Sequence, residues 1–306
     1  MTITNITAKK PSDEAELVNV QKVSANGIEI AFETFGDPAN PTILLVMGLG
    51  TQMIAWDDKM CATLAAEGYH VVRYDNRDVG LSTHIDAPAP SIKDLLVSRS
   101  PAYTISDMAD DAASLLDAIG VESAHVVGAS MGGFISQTIA LEHSRRVRSL
   151  TLIMTSTGSK RVGRPTPAVI RRMATRPTTK TRQEVMDEAV ASYRIIGSPA
   201  LLNEPVLRDL AGRGFDRAHD PDGTQRQLGA IMAQPNRTRA LESVRVPTLV
   251  IHGLSDPLVT VSGGLALAKA IPGAIFKGHH GVGHDIPRTM SVELTGDILG
   301  LVNQAR

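Results

Sequence analysis

Two periodicities divide this chain. Short, nearly unbroken apolar runs occur at 42–47, 70–74, 124–127, 147–154, 247–252 and 274–277. Runs of this length, rich in Val, Ile and Leu, predict strands covered on both faces, as in a parallel sheet. Between them lie stretches with apolar residues at helical spacing, at 57–67, 104–119, 134–143, 261–270 and 290–302. Ahead of the first run, 20–23 and 28–35 flank Asn26-Gly27, a dipeptide that favours a two-residue hairpin turn. Strands alternating with helices predict a doubly wound, mostly parallel α/β sheet, built from 19–155 and 241–306.

From 156 to 240 the alternation stops. No strand pattern is evident, whereas Thr181 with Glu184 has the spacing of a capping box and Asn203 stands before Glu204-Pro205. A helix from 181 to about 196, a second after Asn203 and a third within 221–234 predict a helical cap inserted into the sheet domain. Its segment 160–182 is basic with no acidic residue. A solvated outer face explains that charge, and attraction of an anionic substrate is the alternative. Residues 1–18 are polar and read as a lead-in. The proline-containing stretch 84–102 reads as a long loop, and Thr104 with Asp107 opens the helix after it.

The candidate chemistry begins at Gly128-Ala129-Ser130-Met131-Gly132, between the run 124–127 and a helical pattern. Gly-x-Ser-x-Gly at a strand-to-helix turn is a nucleophile elbow. The serine backbone is strained there, so its neighbours two residues away must lack bulk, and the helix N-terminus favours a developing oxyanion. A serine hydroxyl needs a base, and the base needs an orienting carboxylate. Two later loops carry those types. His252-Gly253-Leu254-Ser255-Asp256-Pro257 follows an apolar strand, and Gly278-His279-His280-Gly281-Val282-Gly283-His284-Asp285 follows the last one. Asp256 is the expected carboxylate, ahead of Asp285 and Asp216, although an Asx turn before proline would equally explain it. His284 is the expected base, because Gly283 lets its loop pass close to the elbow. Leu49, between Gly48 and Gly50, and Met131 are the expected oxyanion donors.

Composition narrows the partners. The 306 residues are 42% hydrophobic, enough for one large domain with an insertion. A formal net charge of −1 argues against nucleic acid or an anionic membrane surface as the main partner. The single cysteine, Cys61, leaves no disulfide and no cysteine-rich metal site, and reads as buried filler. With no apolar signal segment or membrane span, a cytoplasmic enzyme is expected.

The loop Gly48-Leu49-Gly50, the stretch Tyr74-Asp75-Asn76-Arg77-Asp78-Val79-Gly80-Leu81-Ser82, the elbow, His252 to Pro257 and Gly283-His284 together resemble the α/β-hydrolase superfamily. Leu45-Val46-Met47-Gly48 with Trp56, and Ala124 to Gly132, are similar to the aclacinomycin methylesterase-like group, in which Met replaces the usual histidine before that glycine. The resemblance implies hydrolysis of a carboxylic ester, no metal and no organic cofactor. A carbon–carbon bond hydrolase, lactonase or perhydrolase using the same residues, and a receptor on the same fold, remain as alternatives. Gly48, Trp56 and Met154 are the expected substrate-binding residues. Oligomeric state is left open, a homodimer included.

Overall fold

The computed structural model describes residues 4–5, 20–91, 94, 101–174 and 179–305. Its centre is a nine-stranded sheet in the order β1-β2-β3-β5-β4-β6-β7-β8-β9. The strands are β1 Thr4–Asn5, β2 Gln21–Ala25, β3 Ile28–Phe35, β4 Thr42–Val46, β5 His70–Tyr74, β6 Ala124–Ala129, β7 Val147–Ile153, β8 Thr248–Gly253 and β9 Ile275–His279. Strands β1, β2 and β3 pair antiparallel, as does β3 with β5, and every pair from β5 through β4 to β9 is parallel. Asn26 and Gly27 both take positive φ, 49° and 77°, which is the turn that the dipeptide predicts.

The central strands are buried on both faces because helices cover both. On one side Leu44, Val46, Val126 and Val250 pack against α2 (Ile105–Ala118), α3 (Met131–Glu142) and α8 (Ser262–Ala270). On the other, Ile43, Leu45, Val127 and Ile251 meet α1 (Asp58–Ala66) and α9 (Ser291–Val302). Successive β4 residues thus serve opposite layers, as the two-residue period of a strand requires. Cys61 lies in the second layer, where burial pushes its thiol up to about 12. Thr104 and Asp107 close the expected capping box on α2 through both of its hydrogen bonds.

Between β7 and β8 the chain forms α4 (Pro167–Ala174), α5 (Arg182–Ile196), α6 (Glu204–Arg217) and α7 (Pro221–Ala233), with no strand among the described residues. Three of these match the expected helices, including the Thr181–Glu184 capping box and the Asn203 cap on the Val206 amide. The fourth, α4, lies in the basic stretch and is an addition to the expected set. It is eight residues long with only Val169 buried, too short for its periodicity to stand out. Of the 1–18 lead-in only residues 4–5 are described; in the 84–102 stretch, residues 84–91 form neither helix nor strand, as expected of a loop, while 92, 93 and 95–100 lie outside the described residues. None of the described helices is long and apolar enough to cross a membrane.

Candidate active site

The elbow is shaped by what surrounds it. Ser130 joins β6 to α3 with φ 54° and ψ −116°, a region that costs an L-residue about 1–3 kcal/mol. The turn holds because Ser130 N donates to Ile153 O and Gly133 N donates to Ser130 O, both at 2.9 Å. A Cβ at Gly128 would lie 2.2 Å from Ser136 Oγ and 2.3 Å from Gly132 O, and one at Gly132 only 2.1 Å from Val46 O. Both glycines are therefore steric requirements of the turn.

Three side chains that are far apart in sequence meet above it. His284 Nε2 lies 3.0 Å from Ser130 Oγ, and His284 Nδ1 lies 2.7 Å from Asp256 Oδ2. A carboxylate at Nδ1 places the ring proton there, so Nε2 is free to accept the serine hydroxyl. The other oxygen of Asp256 accepts the amides of Leu258 and Val259, each at 2.9 Å. The Asx turn and the imidazole contact thus coexist, one carboxylate oxygen to each. Asp285 instead accepts Ser198 Oγ–H at 2.5 Å, and burial is the main cause raising its carboxyl above the usual range. Asp216 pairs with Arg182 at 3.0 Å, both half exposed.

The remaining histidines of these loops are accounted for elsewhere. His252 Nε2 donates to Val259 O at 2.7 Å and sits 3.7 Å from Asp256 Oδ2, where burial holds its ring below the ordinary imidazole value. His279 faces Glu293 and Asp297 at 3.4 and 3.6 Å, and His280 is exposed.

Gly283 serves a different neighbour from the expected one. A Cβ there would lie 2.2 Å from Gly197 O, just past the end of α5, not against the elbow. Gly283 N donates to Ser198 Oγ at 2.9 Å, and His284 N donates to Ile196 O at 2.6 Å. The histidine loop is therefore seated on the helical insertion.

Around the serine, Gly48 lies so close that a Cβ would be 3.2 Å from Ser130 Cβ and 3.7 Å from Ser130 Oγ. Among the described residues the amides of Leu49 and Met131 have no hydrogen-bond acceptor. Trp56 and Met154 are both buried, in one apolar cluster with Met47, Ala129 and Val282. Met154 adopts φ 49°, and Trp56 Nε1 has no partner among the described residues. Both expected substrate-binding side chains are thus core residues, with 1% and 6% of their surface exposed.

The loop after β5 ties this region together. Asn76 Nδ2 donates to Met47 O at 3.0 Å. Asp75 is fully buried; its carboxylate accepts the Met53 amide at 2.7 Å, the Leu81 amide at 3.0 Å and Arg217 Nη2 at 2.6 Å. Asp78 accepts Arg226 through both oxygens, at 2.8 and 2.9 Å, together with the Tyr103 hydroxyl at 2.6 Å. Burial and the Asp78 carboxylate both push the Tyr103 phenol up. Asp78, His84 and Asp220 bring three potential metal-ligand atoms together, but Arg226 already bonds both carboxylates and supplies their countercharge. Removing one partner of such a buried pair costs about 3–5 kcal/mol. Asp75 and Asp78 thus hold their own loop and join it to the insertion. Arg217 and Arg226, reaching in from α6 and α7, carry no local signal of their role.

The alpha/beta hydrolase fold family model matches residues 41–287. The chain is 28% identical over 299 residues to rhodomycin D methylesterase DauP of Streptomyces sp. strain C5, covering 90% of this chain and 95% of that protein. It is 28% identical over 288 residues to rhodomycin D methylesterase DnrP of Streptomyces peucetius, covering 87% and 92%. Among solved structures, the enol-lactonase of Burkholderia xenovorans LB400 superposes with a TM-score of 0.73 at 24% identity, over 92% of this chain and 99% of that one. With the doubly wound sheet, the strained serine turn and the family match over most of its length, this chain belongs to the alpha/beta hydrolase fold family.

Proposed function

We propose that this protein is a carboxylic ester hydrolase working through an acyl-enzyme. The observation that carries the reading is the unbroken relay Ser130 Oγ to His284 Nε2 at 3.0 Å and His284 Nδ1 to Asp256 Oδ2 at 2.7 Å. Ser130 attacks the ester carbonyl while His284 takes its proton, and Asp256 stabilises the imidazolium that forms. The carbonyl oxygen becomes an oxyanion held by the Leu49 and Met131 amides, which have no other partner among the described residues. The carbon–oxygen bond breaks, and the alcohol departs with the proton from His284. Water then attacks the acyl-enzyme, its proton passing to His284, and Ser130 recovers its hydrogen as the acid leaves. Every proton has a named carrier in this sequence, and no step calls for a metal or organic cofactor.

Two relatives at 28% identity that are named methylesterases support an ester as the substrate. The helical insertion acts as the cap, with Gly48 beside the reacting atoms and Trp56 and Met154 in the apolar core. The test is Ser130→Ala assayed on a short-chain aryl ester. A fall of at least about a thousandfold is expected, as for removal of a nucleophile from a serine triad. Turnover retained in that variant overturns the assignment.

A further inference from the structure

The Leu49 amide lies in a short loop with two constrained flanks. On the amino side, Met47 O accepts Asn76 Nδ2 at 3.0 Å, and Gly48 abuts Ser130. On the carboxyl side, Gly50 N donates to Gln227 Oε1 at 2.8 Å. Gln227 belongs to α7 of the insertion and is fully buried. Its Nε2 donates to Arg77 O at 2.7 Å, so the amide group is satisfied at both ends and its orientation is set. Asn76 and Arg77 are adjacent. One segment of the loop after β5 therefore anchors both sides of Leu49, directly through Asn76 and indirectly through Gln227.

The peptide between Leu49 and Gly50 is held at both of its polar atoms. Gln227 takes its N–H, and Thr51 Oγ1 donates to its carbonyl, Leu49 O, at 3.1 Å. Gly50 has φ 60°, and a Cβ there would lie 2.9 Å from the Thr224 side chain, one turn before Gln227. The Leu49 amide belongs to the preceding peptide, whose carbonyl, Gly48 O, accepts Thr51 N at 3.3 Å; the two peptides meet at the Leu49 Cα, so losing the Gln227 contact frees one side of that hinge.

We propose that Gln227 is a positioning residue for the oxyanion hole, making the aim of the Leu49 amide depend on the seating of helix α7. The proposal deepens the ester hydrolase reading and rests on it. The insertion then has a second task besides covering the substrate: through Gln227 it adds the hold on Gly50 N to a loop that Asn76 and Thr51 fix from the core.

The test compares Gln227→Met, Gln227→Asn and Gln227→Glu with the wild-type chain on one aryl ester, alongside Ser130→Ala. Q227M has similar length but no polar group, Q227N is one methylene short, and Q227E keeps an acceptor for the Gly50 amide. Expected for Q227M and Q227N is a fall in kcat of about 10- to 100-fold with KM changed less than about threefold. An oxyanion donor acts in the transition state, and displacement by about an ångström is enough for such a loss. The inhibition constant of a trifluoromethyl ketone, which forms the tetrahedral adduct, should rise in parallel. Q227E should recover most of the loss although it is the least stable to heat, because a carboxyl group is buried in it; a purely structural role would rank activity with stability. Thr51→Val, altering the half-buried partner of the same peptide, should give the same kcat signature and covers the case in which a Gln227 variant does not fold. Unchanged kcat and ketone affinity in the folded variants, or a loss confined to KM, would overturn the proposal. If Ser130→Ala stays active, the hydrolase reading itself fails and this proposal goes with it. An inactive S130A beside normal Gln227 and Thr51 variants sinks the positioning role alone.

Discussion

Gly132→Ala is the smallest change that reaches the whole site. The added methyl would stand 2.1 Å from Val46 O, 2.7 Å from Val46 C and 2.9 Å from Met47 O. All three atoms are backbone, at the end of β4 and the start of the loop that carries Leu49. A Cβ essentially never approaches another heavy atom closer than 3.0 Å, so the elbow and the loop must separate by about 0.9 Å. That movement acts on Ser130 and Leu49 together, one on each side of the gap. Misplacement on this scale costs about 100-fold in rate, and overpacking of a rigid interior costs about 1–3 kcal/mol in stability. The assay is kcat on an aryl ester with urea unfolding of the same preparation. Gly296→Ala is the control. Gly296 lies in α9, and a methyl added there would meet nothing within 4 Å, so the replacement should stabilise by about 0.5–1 kcal/mol and leave kcat alone. If G132A matches wild type in both rate and stability, the close approach of loop and elbow is wrong, and the oxyanion assignment loses its basis.

Three further outcomes follow from other contacts. Ser198→Ala removes the acceptor of the buried Gly283 amide and the donor to Asp285, so unfolding free energy should drop by about 1–3 kcal/mol, read by urea titration. The same variant should also lower kcat, since the next residue after Gly283 is His284; unaltered turnover would detach the histidine loop from the insertion. Burial holds the imidazoles of His252 and His70 below their ordinary value in the folded protein. The unfolded chain then binds more protons below about pH 6.5, so stability should be full above that value and decline as the pH falls beneath it. Unfolding midpoints at about pH 7.5 and 5.5, on either side of the ordinary imidazole value, should show this decline, and His252→Gln should shrink it.

Much of this molecule is legible as pattern. The β4, β5, β6, β7 and β8 runs announce themselves because strands covered on both faces need apolar residues throughout. Ser130, Asp256 and His284 are readable for a different reason: each sits in a short loop directly after one of the parallel strands, and such loops converge on one edge of the sheet. Gln227 and Ser198 are not legible. They lie on an insertion whose seat is made of single side chains meeting backbone atoms about 85 to 177 residues away, and no local period encodes such a partner. Helix α4 escapes notice for want of length. Gly283 points to a close approach but not to the right neighbour, because a glycine reports that something passes near without saying what.

In the proposed mechanism Ser130 is the group that carries the acyl chain. Treating the native protein with a fluorophosphonate and mapping the adduct by mass spectrometry tests this directly. A single phosphonyl group on Ser130, formed far more slowly in His284→Ala, is the predicted result; a labelled residue elsewhere, or an unmodified Ser130 under conditions that inactivate the enzyme, would contradict it.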